Sequence, residues 1–188
     1  MRRQHVIEPT NSPHQSPVVL IPKSNGEICF CVDYRKINAY TVDDSFPMGN
    51  LPEMVRALGT ARWFTKLGLK NGYWQVPLTE RAKPATAFII PSSAIHQFRV
   101  MAYGLKNAPM SFQRLMSQEV LAGFIGDFVM VYLDDIMVHS KTATEHIRHV
   151  GLVLERLALH NLVARLPKCK FVQRKTMFLG VVIDEDAN

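Results

Sequence analysis

Between Phe128 and Ser140 the chain reads Phe-Val-Met-Val-Tyr-Leu-Asp-Asp-Ile-Met-Val-His-Ser, an apolar, β-branched run broken in the middle by two adjacent carboxylates. Val129, Val131 and Leu133 alternate with Met130 and Tyr132, and Ile136, Met137 and Val138 resume the apolar pattern. The segment therefore reads as strand, tight turn, strand, with Asp134 and Asp135 at the tip. Flanking strands this apolar belong on a core. Two carboxylates fixed side by side on such a support repel each other, and a divalent cation removes the conflict. Magnesium takes hard oxygen ligands, commonly one or two carboxylates with substrate phosphates, so the tip is a candidate phosphoryl-transfer site. The competing reading is a plain polar turn, where Asp is common.

At 188 residues and 47% hydrophobic, the chain can build one domain with a substantial core, or two small lobes sharing one. No apolar run approaches the length needed to cross a bilayer, and Met1-Arg-Arg-Gln-His5 lacks the apolar core of a secretion signal. The expectation is an intracellular protein, cytoplasmic or nuclear, neither secreted nor membrane-bound. Cys29, Cys31 and Cys169 fit neither a disulfide framework nor a closed zinc site and read as reduced thiols. The formal charge of +6 suits a polyanionic partner but also many solvated surfaces.

Residues 1–17, with Pro9, Pro13 and Pro17, read as an extended entry arm without a core of its own. Two apolar runs, 18–21 and 28–32, flank Asn25-Gly26 and predict a β-hairpin. Asp33 to Ile37 leads into a polar loop. A helix capped near Asn50 passes Met54, Val55 and Leu58 and stops near Gly59. Strands are predicted at 63–69, 86–90 and 97–101, with a turn over 71–77. The loop 104–109 delivers Pro109 to the first turn of a helix through Phe112, Leu115, Met116 and Val120. After the hairpin, Thr142 and Glu145 have capping-box spacing, and Ile147, Val150, Leu154 and Leu157 form an apolar stripe. His146 and His149 lie one turn apart with no third ligand nearby and read as surface residues. Phe171 and residues 178–183 predict a closing hairpin or strand pair.

Seven short runs are specific when taken together. They are Ser16-Pro-Val-Val-Leu20, Cys31-Val-Asp-Tyr-Arg35, Asn71-Gly-Tyr-Trp-Gln75, Tyr103-Gly-Leu-Lys-Asn-Ala-Pro109, Ser111-Phe-Gln-Arg114, Tyr132-Leu-Asp-Asp135 and Phe178-Leu-Gly180. With these runs, nearly the whole chain resembles the reverse transcriptase domain of gypsy-type long-terminal-repeat retrotransposon pol polyproteins. The resemblance implies an α+β polymerase right hand: fingers near 1–60 and 78–102, and a palm near 61–77 and 103–188 whose antiparallel sheet is backed by helices. The thumb, connection and ribonuclease H domains would follow Asn188, so a truncated or degenerate copy, or a piece of a polyprotein with ribonuclease H and integrase, is expected.

In that family, template-directed DNA synthesis from dNTPs on a primed RNA or DNA template uses two magnesium ions, with manganese as a substitute. By resemblance, Asp134 and Asp135 are two of the three carboxylates that hold the metals, together with the backbone of Leu69. Gly68 stands where relatives carry the first Asp. Cys29 stands where relatives carry an Arg that clamps the triphosphate through its planar fork, while Lys23, the other phosphate contact, remains. Metal binding is therefore expected to be weak and polymerisation impaired, and the alternative is an inactive nucleic-acid-binding remnant. Gly72, Tyr73 and Tyr103 match nucleotide-binding positions. Gly104, Pro109, Gln113, Tyr132, Leu133, Phe178, Leu179 and Gly180 match positions along template and primer. Each has a structural alternative: Tyr73 a core tyrosine, Gly104 and Pro109 loop punctuation, and Phe178-Leu-Gly180 core packing. Ala102 replaces a proline usual in relatives. The resemblance also requires the Cα of Gly68 within about 10 Å of those of both aspartates, roughly two strand spacings.

Overall fold

The computed structural model describes residues 1, 4–22, 26, 28–59, 61–90 and 94–184. In chain order come β1 (Ile7–Pro9), β2 (Ser16–Pro22), β3 (Ile28–Val32), α1 (Arg35–Tyr40), α2 (Leu51–Ala57) and β4 (Trp63–Gly68). Then follow β5 (Phe88–Ile89), β6 (His96–Phe98), α3 (Ala108–Leu115), β7 (Val129–Tyr132) and β8 (Asp135–Ser140). The chain closes with α4 (Ala143–Leu159), β9 (Lys170–Gln173), β10 (Lys175–Phe178) and β11 (Val181–Asp184). This is a mixed α+β protein with sheets backed by helices, as expected. Its contacts divide into a first unit, residues 1–44 and 73–109, and a second, residues 45–72 and 110–188.

The first unit is built on one sheet of order β1-β6-β5-β2-β3, in which only β2 and β5 run parallel. The hairpin expected across Gly26 is present: β2 and β3 pair from Val18↔Val32 to Pro22↔Ile28. Gly26 has φ +80°, a conformation open to glycine and strained for most other residues. Val6, Ile7, Tyr34, Phe88, Phe98 and Ala102 form the core. The Tyr34 hydroxyl donates to Thr86 O at 2.9 Å, and burial pushes its phenol above the ordinary range.

The entry arm, expected to be extended and without a core of its own, lends Val6 and Ile7 to the core of this sheet through the pairing of β1 with β6. Where a polar loop was expected, α1 forms, although it buries none of its residues. Long-range hydrogen bonds replace the missing apolar face. Asn38 Nδ2 donates to Gly104 O at 2.8 Å, and Asn38 Oδ1 accepts from the Lys106 N–H at 2.9 Å.

The second unit carries the antiparallel sheet β7-β8-β4-β9, against which α4 packs, and the separate hairpin β10-β11. Leu58, Phe64, Met130, Met137, Phe178 and Ile183 form a shared core. Helix α3 is followed by a π-turn over Met116–Val120, so the helical path reaches Val120 but widens in its last turn. The capping box of α4 is formed: the Glu145 N–H donates to Thr142 Oγ1 and the Thr142 N–H to Glu145 Oε2.

The buried stripe of α4 is His146, Val150, Val153 and Leu157, and the expected Ile147 and Leu154 are exposed. His146 is completely buried, against the reading of it as a surface residue. A polar residue holds that face because its ring is saturated by partners: Nε2 lies 2.7 Å from Thr65 Oγ1 and Nδ1 lies 2.9 Å from Ser140 Oγ. Ser140 Oγ also lies 2.8 Å from His149 Nδ1. At the end of the chain the expected hairpin is β10-β11, while β9, with Phe171, joins the edge of the larger sheet. Among the described residues no helix is long and apolar enough to cross a membrane.

Candidate active site

The hairpin of β7 and β8 pairs Tyr132 with Asp135, so its turn consists of Leu133 and Asp134. Only Asp134 sits at the tip; Asp135 opens β8. Leu133 has φ +54°, an uncommon and strained conformation for a bulky residue, and its surroundings hold it there. The Leu133 N–H donates to Gln113 Oε1 at 2.7 Å, while Gln113 Nε2 donates to Val131 O at 3.1 Å and to Ser117 Oγ at 3.2 Å. Gln113 is buried, so α3 fixes the shape of the turn through a side chain invisible from outside.

Strand β4 runs antiparallel to β8, with Gly68 directly opposite Asp135. Paired Cα atoms in such a ladder lie about 4.5–5.5 Å apart, inside the separation the resemblance requires. The next residue continues the association: the Leu69 N–H donates to Asp134 O at 3.2 Å. Gly72 also belongs here, since a Cβ on it would lie 3.2 Å from both Asp134 Cβ and Phe112 Cζ. Gly68, Leu69, Gly72, Leu133, Asp134 and Asp135 therefore converge, with Gln113 and Tyr132 supporting them.

Two lysines complete the electrostatics. Lys66 Nζ lies 2.9 Å from Asp135 Oδ2, and Lys168 Nζ lies 3.5 Å from Asp134 Oδ2. All four side chains are partly exposed. Among the described residues, no group of three or more His, Cys, Asp or Glu side chains could hold a metal ion. Two carboxylates already paired with ammonium groups do not fit the donor set of a bridged pair of divalent ions. Lys66 was legible in principle, since it lies two residues before Gly68 and hence on the same strand face. Lys168 carries no local signal and arrives from a distant 3-10 turn, Leu166–Lys168.

Phe178 is buried in the core of the second unit, with Leu179 packed beside it. Leu179 and Gly180 both have positive φ, 50° and 83°, and form the two-residue turn between β10 and β11. In the first unit, the rings of Tyr73 and Tyr103 pack with centroids 5.0 Å apart, and Trp74 meets Tyr103 edge-on at 6.0 Å. Gly104, with φ +91°, lies beside Tyr34 and Val32. Pro109 stands in the first turn of α3 as expected. Lys23 lies outside the described residues, and Cys29 is described only by its backbone, paired with Ile21.

A carboxylate hairpin on an antiparallel sheet, with helices behind it and a second sheet unit inserted between its segments, is an arrangement found in template-directed polymerases. The chain belongs to the family described as reverse transcriptase (RNA-dependent DNA polymerase), which it matches over residues 21–183. Enzymes of this family are in general dependent on divalent metals. The Pol polyprotein of the Drosophila melanogaster transposon 297 is 36% identical over 99% of this chain, and that of transposon gypsy is 33% identical over 96%. In each case the match takes in 18% of the relative, so the chain spans about a fifth of these polyproteins. Among solved structures, the foamy viral protease-reverse transcriptase superposes with a TM-score of 0.88 in its complex with double-stranded DNA, at 24% identity over 98% of this chain and 32% of that one. Its complex with an RNA/DNA hybrid gives 0.86 at 25% identity, over 98% of this chain and 24% of that one.

Proposed function

We propose that this chain is the template- and primer-holding part of a retrotransposon reverse transcriptase in which polymerisation has been lost at position 68. The observation that carries the reading is the register of β4 and β8. Gly68 faces Asp135 across one ladder step, so the position that resemblance assigns to a metal-bridging carboxylate lies at the carboxylate pair and supplies no donor. Losing such a ligand corresponds to a rate loss of roughly a thousandfold or more. Cys29, at the position assigned to the triphosphate clamp, offers no fixed positive charge. The complexes of the foamy viral relative with DNA and with an RNA/DNA hybrid support the ligand class.

In this reading the fingers are residues near 1–60 and 78–102 and the palm residues near 61–77 and 103–188. Lys23, Gly72, Tyr73 and Tyr103 are assigned to the nucleotide by resemblance. Gly104, Pro109, Tyr132, Leu133, Phe178, Leu179 and Gly180 line template and primer, and Gln113 positions the turn. The parent product is a polyprotein with ribonuclease H and integrase. The test is fluorescence anisotropy of labelled primer–template against salt, together with primer extension. Binding is expected to fall steeply as salt rises, because Lys and Arg contacts release counterions from phosphate, and to show little base preference. Extension is expected at background. Affinity indifferent to salt would overturn the binding role, and robust extension by the unaltered chain would overturn the loss of polymerisation.

A further inference from the structure

The space at position 68 is filled from elsewhere in the chain. A Cβ built on Gly68 would lie 2.8 Å from Lys168 Cβ and 3.1 Å from Lys168 Cδ, the first closer than real Cβ contacts come. Lys168 Cβ cannot simply swing aside. The turn that carries it is tied to β4 by the Arg165 N–H, which donates to Gly68 O at 2.8 Å, and it is closed by the Lys168 N–H, which donates to Arg165 O at 2.7 Å. From there the lysine stem runs on to Asp134, with Nζ 3.5 Å from Oδ2, while Lys66 answers Asp135 at 2.9 Å. Two carboxylates thus meet two ammonium groups, and the formal charge of the four side chains sums to zero.

We propose that Lys168, assisted by Lys66, stands in this chain where a divalent cation would otherwise stand. The stem of Lys168 occupies the volume that a side chain at position 68 would need, and its ammonium is the counterion of Asp134. An incoming divalent ion must displace both ammonium groups before it reaches the carboxylates, and each of them repels it at close range. The inference concerns the second unit alone. It goes beyond the reading above because it needs no nucleic acid to bind, so the two can fail separately.

Two measurements on the 188-residue chain test it. The first is Mn2+ binding by electron paramagnetic resonance, taken as the part that Asp134→Asn abolishes. The unaltered chain is expected to show no such part in the micromolar range. Lys168→Met, which keeps most of the stem and removes the charge, is expected to tighten it about tenfold. Micromolar, Asp134-dependent Mn2+ binding by the unaltered chain, or no change with Lys168→Met, would overturn the ammonium's role. The second is the denaturation midpoint of Gly68→Ala. Alanine in place of a strand glycine ordinarily raises stability where there is room for it. Here it is expected to lower the midpoint in the unaltered chain and to raise it on a Lys168→Gly background. A raised midpoint in the unaltered chain would show that the lysine stem does not fill the site.

Discussion

Strand β4 ends in two polar sites that solve opposite problems. Near its start, Thr65 is buried and meets the buried His146, which reaches Ser140 and through it His149. Near its end, Gly68 lies beside Asp134, Asp135, Lys66 and Lys168, all partly open to water. The first site contains no formal charge and its hydrogen bonds are met within the protein. The second contains four charges, whose interactions solvent weakens. Burial therefore makes the neutral network the stronger structural element, while the charged cluster is free to serve binding at little cost to the fold.

The sharpest way to break this contrast is His146→Ala. It removes a ring packed at zero exposure and leaves the partners Thr65 and Ser140 short of a bond, so a loss of about 3 kcal/mol is expected in urea denaturation. A loss below that of an exposed substitution would show that the network is not structural.

Acid should act on the same site next in size. Burial, followed by the neighbouring His149, holds His139 down to about 4, and the same causes hold His146 at about 4, against an ordinary 6.5. Asp127 opposes the shift at His139 only in part. Both rings are neutral when folded, and the unfolded chain takes up their protons first. Their contribution is thus complete above about pH 6.5 and is lost as pH falls toward 4, by about 2–3 kcal/mol for each ring. Denaturation midpoints measured at steps from pH 7.5 to 4.5 read this directly, and a flat profile contradicts it.

Gln113→Met probes the link between core and tip. It deprives the strained Leu133 of its acceptor and is expected to cost about 1–2 kcal/mol, with amide exchange at Leu133 accelerated. Smallest of all is Lys66→Met. Breaking a partly exposed pair with Asp135 should change stability by less than about 1 kcal/mol, and a larger loss would mean that the charged cluster is structural after all.

The sequence disclosed the charged end of β4 far better than the buried end. Adjacent aspartates within an apolar run are conspicuous, and the alternation around them set the strand positions within a residue or two. The capping box at Thr142 and Glu145 was legible because it is local. His146 was not, because its i+4 and i+7 neighbours Val150 and Val153 fit the buried face only if a histidine is accepted there. Its acceptance depends on Thr65, 81 residues away. Helix α1 was hidden for the same kind of reason, since its support comes from bonds to Gly104 and Lys106 rather than from an apolar stripe. Lys168 was the deepest omission, being brought to Gly68 only by the tertiary fold.

The bond between Thr65 and His146 also sets the direction of every proton in its chain. Thr65 Oγ1 already accepts from the Val172 N–H at 3.0 Å. If His146 donated to it as well, the threonine hydroxyl would have no acceptor among the described residues. Thr65 therefore donates to His146 Nε2, His146 carries its hydrogen on Nδ1 and donates to Ser140, and Ser140 donates to His149 Nδ1. One backbone amide on the edge strand thereby selects opposite tautomers for two histidines a single helical turn apart. His149, at the wall of a cavity of about 510 Å³, is left with its hydrogen on Nε2.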